Sequence, residues 1–164
     1  MISDTDRQWM QHAIDLAKSK GTDPSDTPIA SVIVLNDQII GAKCNETVET
    51  NDATAHAEIV TIRAAGAKVG DMELRGATLY STLQPCGMCT MASIWAKVGR
   101  IVYGAGRDEV HKMYFEDRHL STHDFIRDAW REDLSIEGGC LKSECAVLYY
   151  GPDDDVPLSE QGNI

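Results

Sequence analysis

No stretch of the chain approaches the roughly 20 apolar residues a helix needs to cross a bilayer. The first residues, Met1-Ile2-Ser3-Asp4, have neither the basic nor the apolar region of an export signal. These two absences predict a soluble, cytoplasmic protein with no membrane partner. Positive charge is also scarce, since 15 Lys and Arg against 26 Asp and Glu leave a net charge of -11. A partner gripped through many phosphates requires the opposite balance, so nucleic acid is not expected and a small uncharged substrate is. Arg100, Arg107, Lys112 and Arg118 do gather in one stretch, but Asp108, Glu109, Glu116 and Asp117 interleave with them, and the segment reads as a solvated mixed face. Five cysteines, two of them claimed by the motif below, do not make the framework of a secreted disulfide protein and point to a reducing compartment. There is no internal repeat and no low-complexity tract. With 164 residues, 43% hydrophobic and 25% charged, one domain with a substantial core is expected over residues 1–150, followed by an acidic tail over 151–164 that is mobile or draped over a neighbour.

What the chain does contain is Thr54-Ala55-His56-Ala57-Glu58 and, thirty residues after His56, Gln84-Pro85-Cys86-Gly87-Met88-Cys89. A catalytic zinc takes three protein ligands and leaves a position for water, and one imidazole with two thiolates is a donor set that zinc prefers. Cys86 and Cys89 stand three apart, so both thiolates can face one metal from the start of a helix. Glu58 is too close in sequence to His56 to share the ligation and is well placed to reach a water on the metal. H-x-E followed by P-C-x-x-C is the pattern of zinc-dependent deaminases. The expected cofactor is therefore one zinc ion per chain, with His56, Cys86 and Cys89 as ligands and Glu58 as the catalytic acid and base. A purely structural zinc would need a fourth ligand, for which Cys44, Cys140 and Cys145 are available. His119 and His123, four apart without an H-E-x-x-H pattern, read as exposed or capping residues.

Hydrophobic periodicity places these residues. Trp9, Ala13, Ile14 and Ala17 recur at helical spacing after Asp4 or Asp6 as N-cap, ending near Gly21. Residues 29–35 and 38–42 read as a hairpin around Asn36-Asp37. A helix opening at Thr54 or Ala55 and running to about residue 67 carries His56 and Glu58 in its first turn. Residues 77–83 form a strand stopped by Pro85, residues 88–97 a second helix, residues 101–103 a short buried strand, and residues 146–150 a final strand. Phe125, Ile126 and Trp130 suggest a helix over 120–130 capped by Ser121. Trp9, Trp95 and Trp130 are expected in the core, with Trp95 and Phe115 also able to flank a planar base.

On these residues the chain resembles the cytidine and deoxycytidylate deaminase superfamily over residues 4–150. The resemblance implies an α/β fold, a three-layer α/β/α sandwich around a five-stranded mixed sheet. Asn51-Asp52-Ala53-Thr54-Ala55-His56-Ala57-Glu58 is similar to the stretch shared by bacterial guanine deaminases and tRNA adenosine deaminases, which have proline in place of Ala53. Asn45 matches a base-binding asparagine of both groups. Phe115-Glu116-Asp117 resembles the Phe-Asp-Asp segment of the guanine deaminases, which implies Asp117 as a purine contact, and Trp95 is similar to a tryptophan of that family. Pro28-Ile29-Ala30-Ser31 and Gly87 depart from it. The resemblance also implies a homodimer paired through helical faces near the site.

Zinc in such a set lowers the pKa of a bound water well below the bulk value of about 15.7, which supplies hydroxide near neutral pH. Glu58 would carry the water proton to a ring nitrogen and then to the departing amine. Asn45 would orient the base edge, Asp117 would accept from a ring N–H or amino group, and the Ala57 backbone N–H would meet the substrate. The reading from sequence is thus a hydrolytic deaminase of a free nucleobase, guanine before cytosine or other amino-heterocycles, with a tRNA adenosine deaminase and a silent zinc-binding module behind it.

Overall fold

Ser3, rather than Asp4 or Asp6, starts the first helix, α1 (Asp4–Lys20): its hydroxyl accepts the Asp6 amide N–H at 3.1 Å, and the Asp6 carboxylate accepts the Ser3 amide N–H at 2.7 Å. This reciprocal box satisfies two backbone donors that a helix end leaves unpaired, and it makes Asp6 the third helical residue instead of the cap. The computed structural model describes residues 1–116 and 120–161. The hairpin follows as β1 (Ala30–Leu35) and β2 (Gln38–Cys44). Asn36 and Asp37 turn it with φ of 50° and 57°, a left-handed pair that a two-residue hairpin loop requires and that these side chains tolerate. The short α2 (Thr47–Thr50) leads into α3 (Ala57–Val69); then come β3 (Thr78–Leu83), α4 (Gly87–Trp95), β4 (Arg100–Ala105), α5 (Thr122–Asp128, capped by Ser121), β5 (Ser135–Glu137) and α6 (Lys142–Ala146).

The sheet has the order β2-β1-β3-β4-β5, with β1 antiparallel to both its neighbours and β3, β4 and β5 parallel. Because side chains alternate along a strand, each strand feeds two cores. Val32, Val34, Tyr80 and Val102 turn towards Met10, Ala13, Ile14 and Ala17 of α1 and Cys145 of α6. Ile33, Leu79 and Ile101 turn the other way, towards Ala65, Ile94 and Ile126 of α3, α4 and α5. The register puts Ile33 beside Leu79, Leu79 beside Ile101, and Ile101 beside Ile136, one apolar row across four strands. The result is the three-layer α/β/α sandwich with a five-stranded mixed sheet.

Two expectations need correction here. Residues 146–150 are not a strand: Leu148 and Tyr149 donate their backbone N–H groups locally, to Cys145 and Ala146, and the fifth strand is Ser135–Glu137. The apolar run reads as β because Leu148 and Tyr149 are buried, but they are buried at the end of α6, which sits so close to β4 that a Cβ on Gly104 would meet the Cys145 Sγ. Arg100 does not belong to a solvated face either. Its guanidinium donates to both oxygens of buried Asp6, at 2.6 and 3.1 Å, and pairs with Glu137 at 3.0 Å. Burial on its own would raise the Asp6 carboxyl; Arg100, Ser3 and the Tyr80 hydroxyl outweigh it and hold the group well below the usual carboxylate range. Arg118 lies outside the described residues.

Residues 151–161 run back along the body. Val156 is buried with Tyr149 and Tyr114, the Gln161 side chain donates to the Val156 carbonyl at 2.6 Å, and the Tyr150 hydroxyl donates to Glu160 at 2.7 Å. No described helix is long and apolar enough to cross a membrane.

Candidate active site

Both ligand motifs end up at helix N-termini on the side where the parallel strands finish. His56 is the N-cap residue of α3 and Cys86 the N-cap residue of α4, reached directly from the end of β3. This is where open α/β sheets bind ligands, because the loops leaving adjacent strands diverge there. His56 Nδ1, Cys86 Sγ and Cys89 Sγ lie within 4.8 Å of one another, with His56 Nδ1 and Cys86 Sγ 3.7 Å apart. Zinc bonds of about 2.0 Å to nitrogen and about 2.3 Å to sulfur at tetrahedral angles set donor separations of roughly 3.5–3.8 Å, so the three donors fit one zinc ion.

Electrostatics points the same way. A hydrogen bond from Cys89, helped by His56, brings the Cys86 thiol down to about 5 against the effect of burial. Cys89, on the other side of that hydrogen bond and buried, is pushed well up, and His56 is raised by its contact with Cys86. A zinc ion would take the two cysteines as thiolates and the imidazole in its neutral form. No fourth protein ligand joins them among the described residues. Cys44 donates its thiol to the Leu16 carbonyl at 3.3 Å, Cys145 turns towards the Cys140 carbonyl, and burial raises both Cys140 and Cys145. Three donors without a fourth are the ligand set that a catalytic rather than a structural zinc would use.

Glu58 stands beside the ligands, buried at 4% exposure, and its Oε1 accepts the Ser81 hydroxyl at 3.1 Å. Burial, then the charge of Cys86, raises its carboxyl, the direction expected of a group that must hold and release a proton near neutral pH. Ser81 was not singled out from the sequence. The available signal is a polar residue in the same register as Leu79, on the strand face that otherwise buries only apolar groups. Ser31 pairs across the sheet with Ser81 and donates to Thr61 at 2.7 Å, so a short polar file underlies Glu58. Ser81→Ala is expected to lower kcat about tenfold with KM unchanged, the equivalent of one charge-assisted hydrogen bond, measured by steady-state kinetics on zinc-loaded protein.

A cavity of about 440 Å3 opens over these groups, lined in part by Asn45, Ala57, Glu58, Leu83, Gln84 and Tyr150. Asn45 is buried and donates its side-chain amide to Thr47 at 3.0 Å, which fixes its orientation on the wall. Ala57, the first residue of α3, brings its backbone to the same wall. Gln84 also lines the cavity and was missed; it holds the loop by accepting the Arg107 amide at 2.9 Å and donating to Thr122 at 2.8 Å. Trp95 and Phe115 are not brought to the cavity. Trp95 is 77% exposed on α4, and Phe115 is buried in the α1 side of the core with the Arg107 guanidinium 5.8 Å from its ring. Trp130 is exposed like Trp95, whereas Trp9 is half-buried and packs against the α1 side of the core; helical spacing cannot tell which stripe of a helix meets the sheet. Asp117 and His119 lie outside the described residues, and His123 is exposed on α5.

Comparison with known proteins bears on what this geometry serves. Residues 3–105 match the model of the cytidine and deoxycytidylate deaminase zinc-binding region. The chain belongs to that family. It is 34% identical over 148 residues to the tRNA-specific adenosine deaminase of Buchnera aphidicola subsp. Schizaphis graminum, across 90% of this chain and 93% of that one. A solved structure from a study of A-to-I editing by tRNA:A34 deaminases is 34% identical, covers 86% of this chain and 98% of its own, and superposes with a TM-score of 0.72. The guanine deaminase of Nitrosomonas europaea superposes equally well, TM-score 0.74 over 90% of this chain and 85% of that one, but at 23% identity, a likeness of fold alone. As a member of this deaminase family the chain has a zinc-binding region, with His56, Cys86 and Cys89 placed so that they could hold one zinc ion. The free-nucleobase reading with guanine first, and with it guanine catabolism, is overturned by these relatives, and so is the expectation that nucleic acid is an improbable partner. Net charge averages the whole surface and does not describe the lining of any one cavity.

Proposed function

We propose that the protein deaminates adenosine in tRNA, converting adenine and water to hypoxanthine and ammonia within the polynucleotide. The observation that carries this is the 34% identity to a tRNA-specific adenosine deaminase over nine-tenths of both chains. When bound, zinc supplies a Lewis acid that makes a water nucleophilic near neutral pH. Glu58 removes one proton from the attacking water and delivers it to N1 of the adenine, then takes the second from the oxygen now bonded to C6 and gives it to the amino group, which leaves as ammonia. Ser81 orients the carboxylate, Asn45 holds the base edge, and Ala57 presents its backbone to the base. The cavity volume suits a single extruded base. The enzyme is expected to act in the cytoplasm, with residues 1–150 as the catalytic domain; in the segment 151–164, Ser159 and Glu160 line the cavity.

The charge balance then becomes a prediction about affinity. Among the described residues lining the cavity there is no lysine or arginine, and Lys20 nearby is engaged by the Asn45 carbonyl and Glu49. Binding of an anticodon stem-loop RNA is expected to have a shallow salt dependence, with a slope of log K against log salt no steeper than about -3, corresponding to about three phosphate contacts. Nitrocellulose filter binding between 50 and 200 mM salt measures it. The function is tested by incubating zinc-loaded protein with stem-loops carrying one adenosine at each loop position, and with free adenosine, adenine and guanine. Inosine in the RNA supports the proposal; ammonia from the small molecules with none from RNA refutes it.

We also propose a homodimer, because Met88, Met91 and Trp95 repeat at i, i+3 and i+7 along one exposed stripe of α4. Trp95→Arg is expected to shift sedimentation towards the monomer, and an unchanged dimer would show that this stripe is not the contact.

A further inference from the structure

Cys86 caps α4 by position, with its side chain facing His56 and the metal site. The Cys89 amide still reaches the Cys86 sulfur, but the Gly87 amide, the first of the helix, must find another acceptor. The Gly87 N–H finds one in Glu116, whose Oε1 accepts it at 2.7 Å. Glu116 comes from 29 residues further on, in the segment between β4 and α5. The fit is close: a Cβ on Gly87 would lie 2.7 Å from the same Oε1 and 3.4 Å from the Phe125 ring. Glu116 is held in turn, since Arg107 donates to its carbonyl at 3.4 Å and leans on the neighbouring Phe115, while the Arg107 amide is tied to Gln84, two residues before Cys86. Residues 84–87 and 107–116 thus form a closed ring of contacts around one metal ligand.

We propose that Glu116 is a positioning residue for the zinc centre: its carboxylate takes the Gly87 N–H that the Cys86 side chain does not serve, and fixes the Cys86-Gly87 turn so that both thiolates aim at one point. The contact is a charge-assisted hydrogen bond at a helix N-terminus, where a carboxylate is favoured by the helix dipole as well as by the N–H itself. Its effect falls on metal retention and not on proton transfer. The role stands on the zinc site alone and holds whatever the nucleic acid or base acted upon.

The test is the rate of zinc release from holoprotein to the chelator 4-(2-pyridylazo)resorcinol, read alongside the visible spectrum of the cobalt(II)-substituted protein. Glu116→Ala is expected to release zinc 10- to 100-fold faster, the usual effect of losing a hydrogen bond that orients a ligand, and to alter the cobalt thiolate bands. Glu116→Gln keeps an oxygen acceptor of the same reach and is expected to stay within about threefold of wild type. Gly87→Ala displaces the carboxylate and is expected to mimic Glu116→Ala, with no further loss when the two are combined, because they break one contact. Wild-type release from Glu116→Ala overturns the proposal, as does equal acceleration by Glu116→Gln, or full additivity of the two alanine variants. Because Glu116→Gln is isosteric, the comparison does not depend on the alanine variant's stability.

Discussion

Glu58→Gln is expected to leave one zinc ion per chain in place while lowering turnover by about 10^3-fold or more, the upper range of what a positioned acid-base group contributes. Glu58 is not among the three donors that converge on the metal site, so the substitution leaves the ligand set whole. Glutamine has the same length and keeps a carbonyl oxygen for the Ser81 hydroxyl, so the buried hydrogen bond survives. What disappears is the capacity to accept a proton from water and pass it on. Metal analysis together with single-turnover formation of inosine separates the two properties. Residual activity within about tenfold of wild type would remove Glu58 from the chemistry, and loss of zinc would show that the carboxylate holds the metal.

The second large effect concerns stability. Arg100→Met is expected to cost about 3–5 kcal/mol at pH 7, because it strands the Asp6 carboxylate inside the fold with only Ser3 and Tyr80 as partners. Asp6 titrates in the folded protein well below the usual carboxylate range, and its partnership with Arg100 therefore stabilises the fold fully above the unfolded value of about 3.9 and is lost as pH falls through the depressed folded value. In the variant, burial acts without the guanidinium to offset it, so the same carboxyl titrates higher than in the wild type. The gap between wild type and variant should consequently be widest near pH 7 and narrow as pH is lowered past 4, since a proton relieves the stranded charge. Urea unfolding at pH 7, 5 and 3.5 measures the gap. A difference that does not change with pH would mean that Arg100 acts by packing alone. Replacing both partners, as Asp6→Asn with Arg100→Met, should recover part of the loss, because the uncompensated charge is what costs most.

The sequence carried the chemistry further than the architecture. His56, Glu58, Cys86 and Cys89 were legible because metal ligation and proton transfer demand particular atoms at short spacings, and short spacings are fixed by local backbone geometry. The helices bearing them, the hairpin at Asn36-Asp37, the β-branched run of β1 and the β character of β3 were legible for the same reason. Ser81 and Gln84 were not, because their importance depends on which residues lie across the sheet or in the next loop. Trp95 and Trp130 were misplaced because amphipathic spacing identifies a stripe without saying whether anything covers it.

Substrate class was the weakest inference from composition. A net charge of -11 is a property of the whole chain, and an RNA partner would meet only one face of it. Taken alone, then, the sequence singled out His56, Cys86 and Cys89 as the ligand set for zinc and Glu58 as the proton carrier from local pattern, and through its resemblance to a deaminase superfamily it implied the α/β layering. Only the tertiary structure decided that Asp6 and Arg100, 94 residues apart, share a buried ion pair, that Glu116 reaches the turn after Cys86, and that the fifth strand is Ser135–Glu137. Those contacts are made between segments distant in the chain, where the free energy of a pairing comes from burial and geometry that no local spacing encodes.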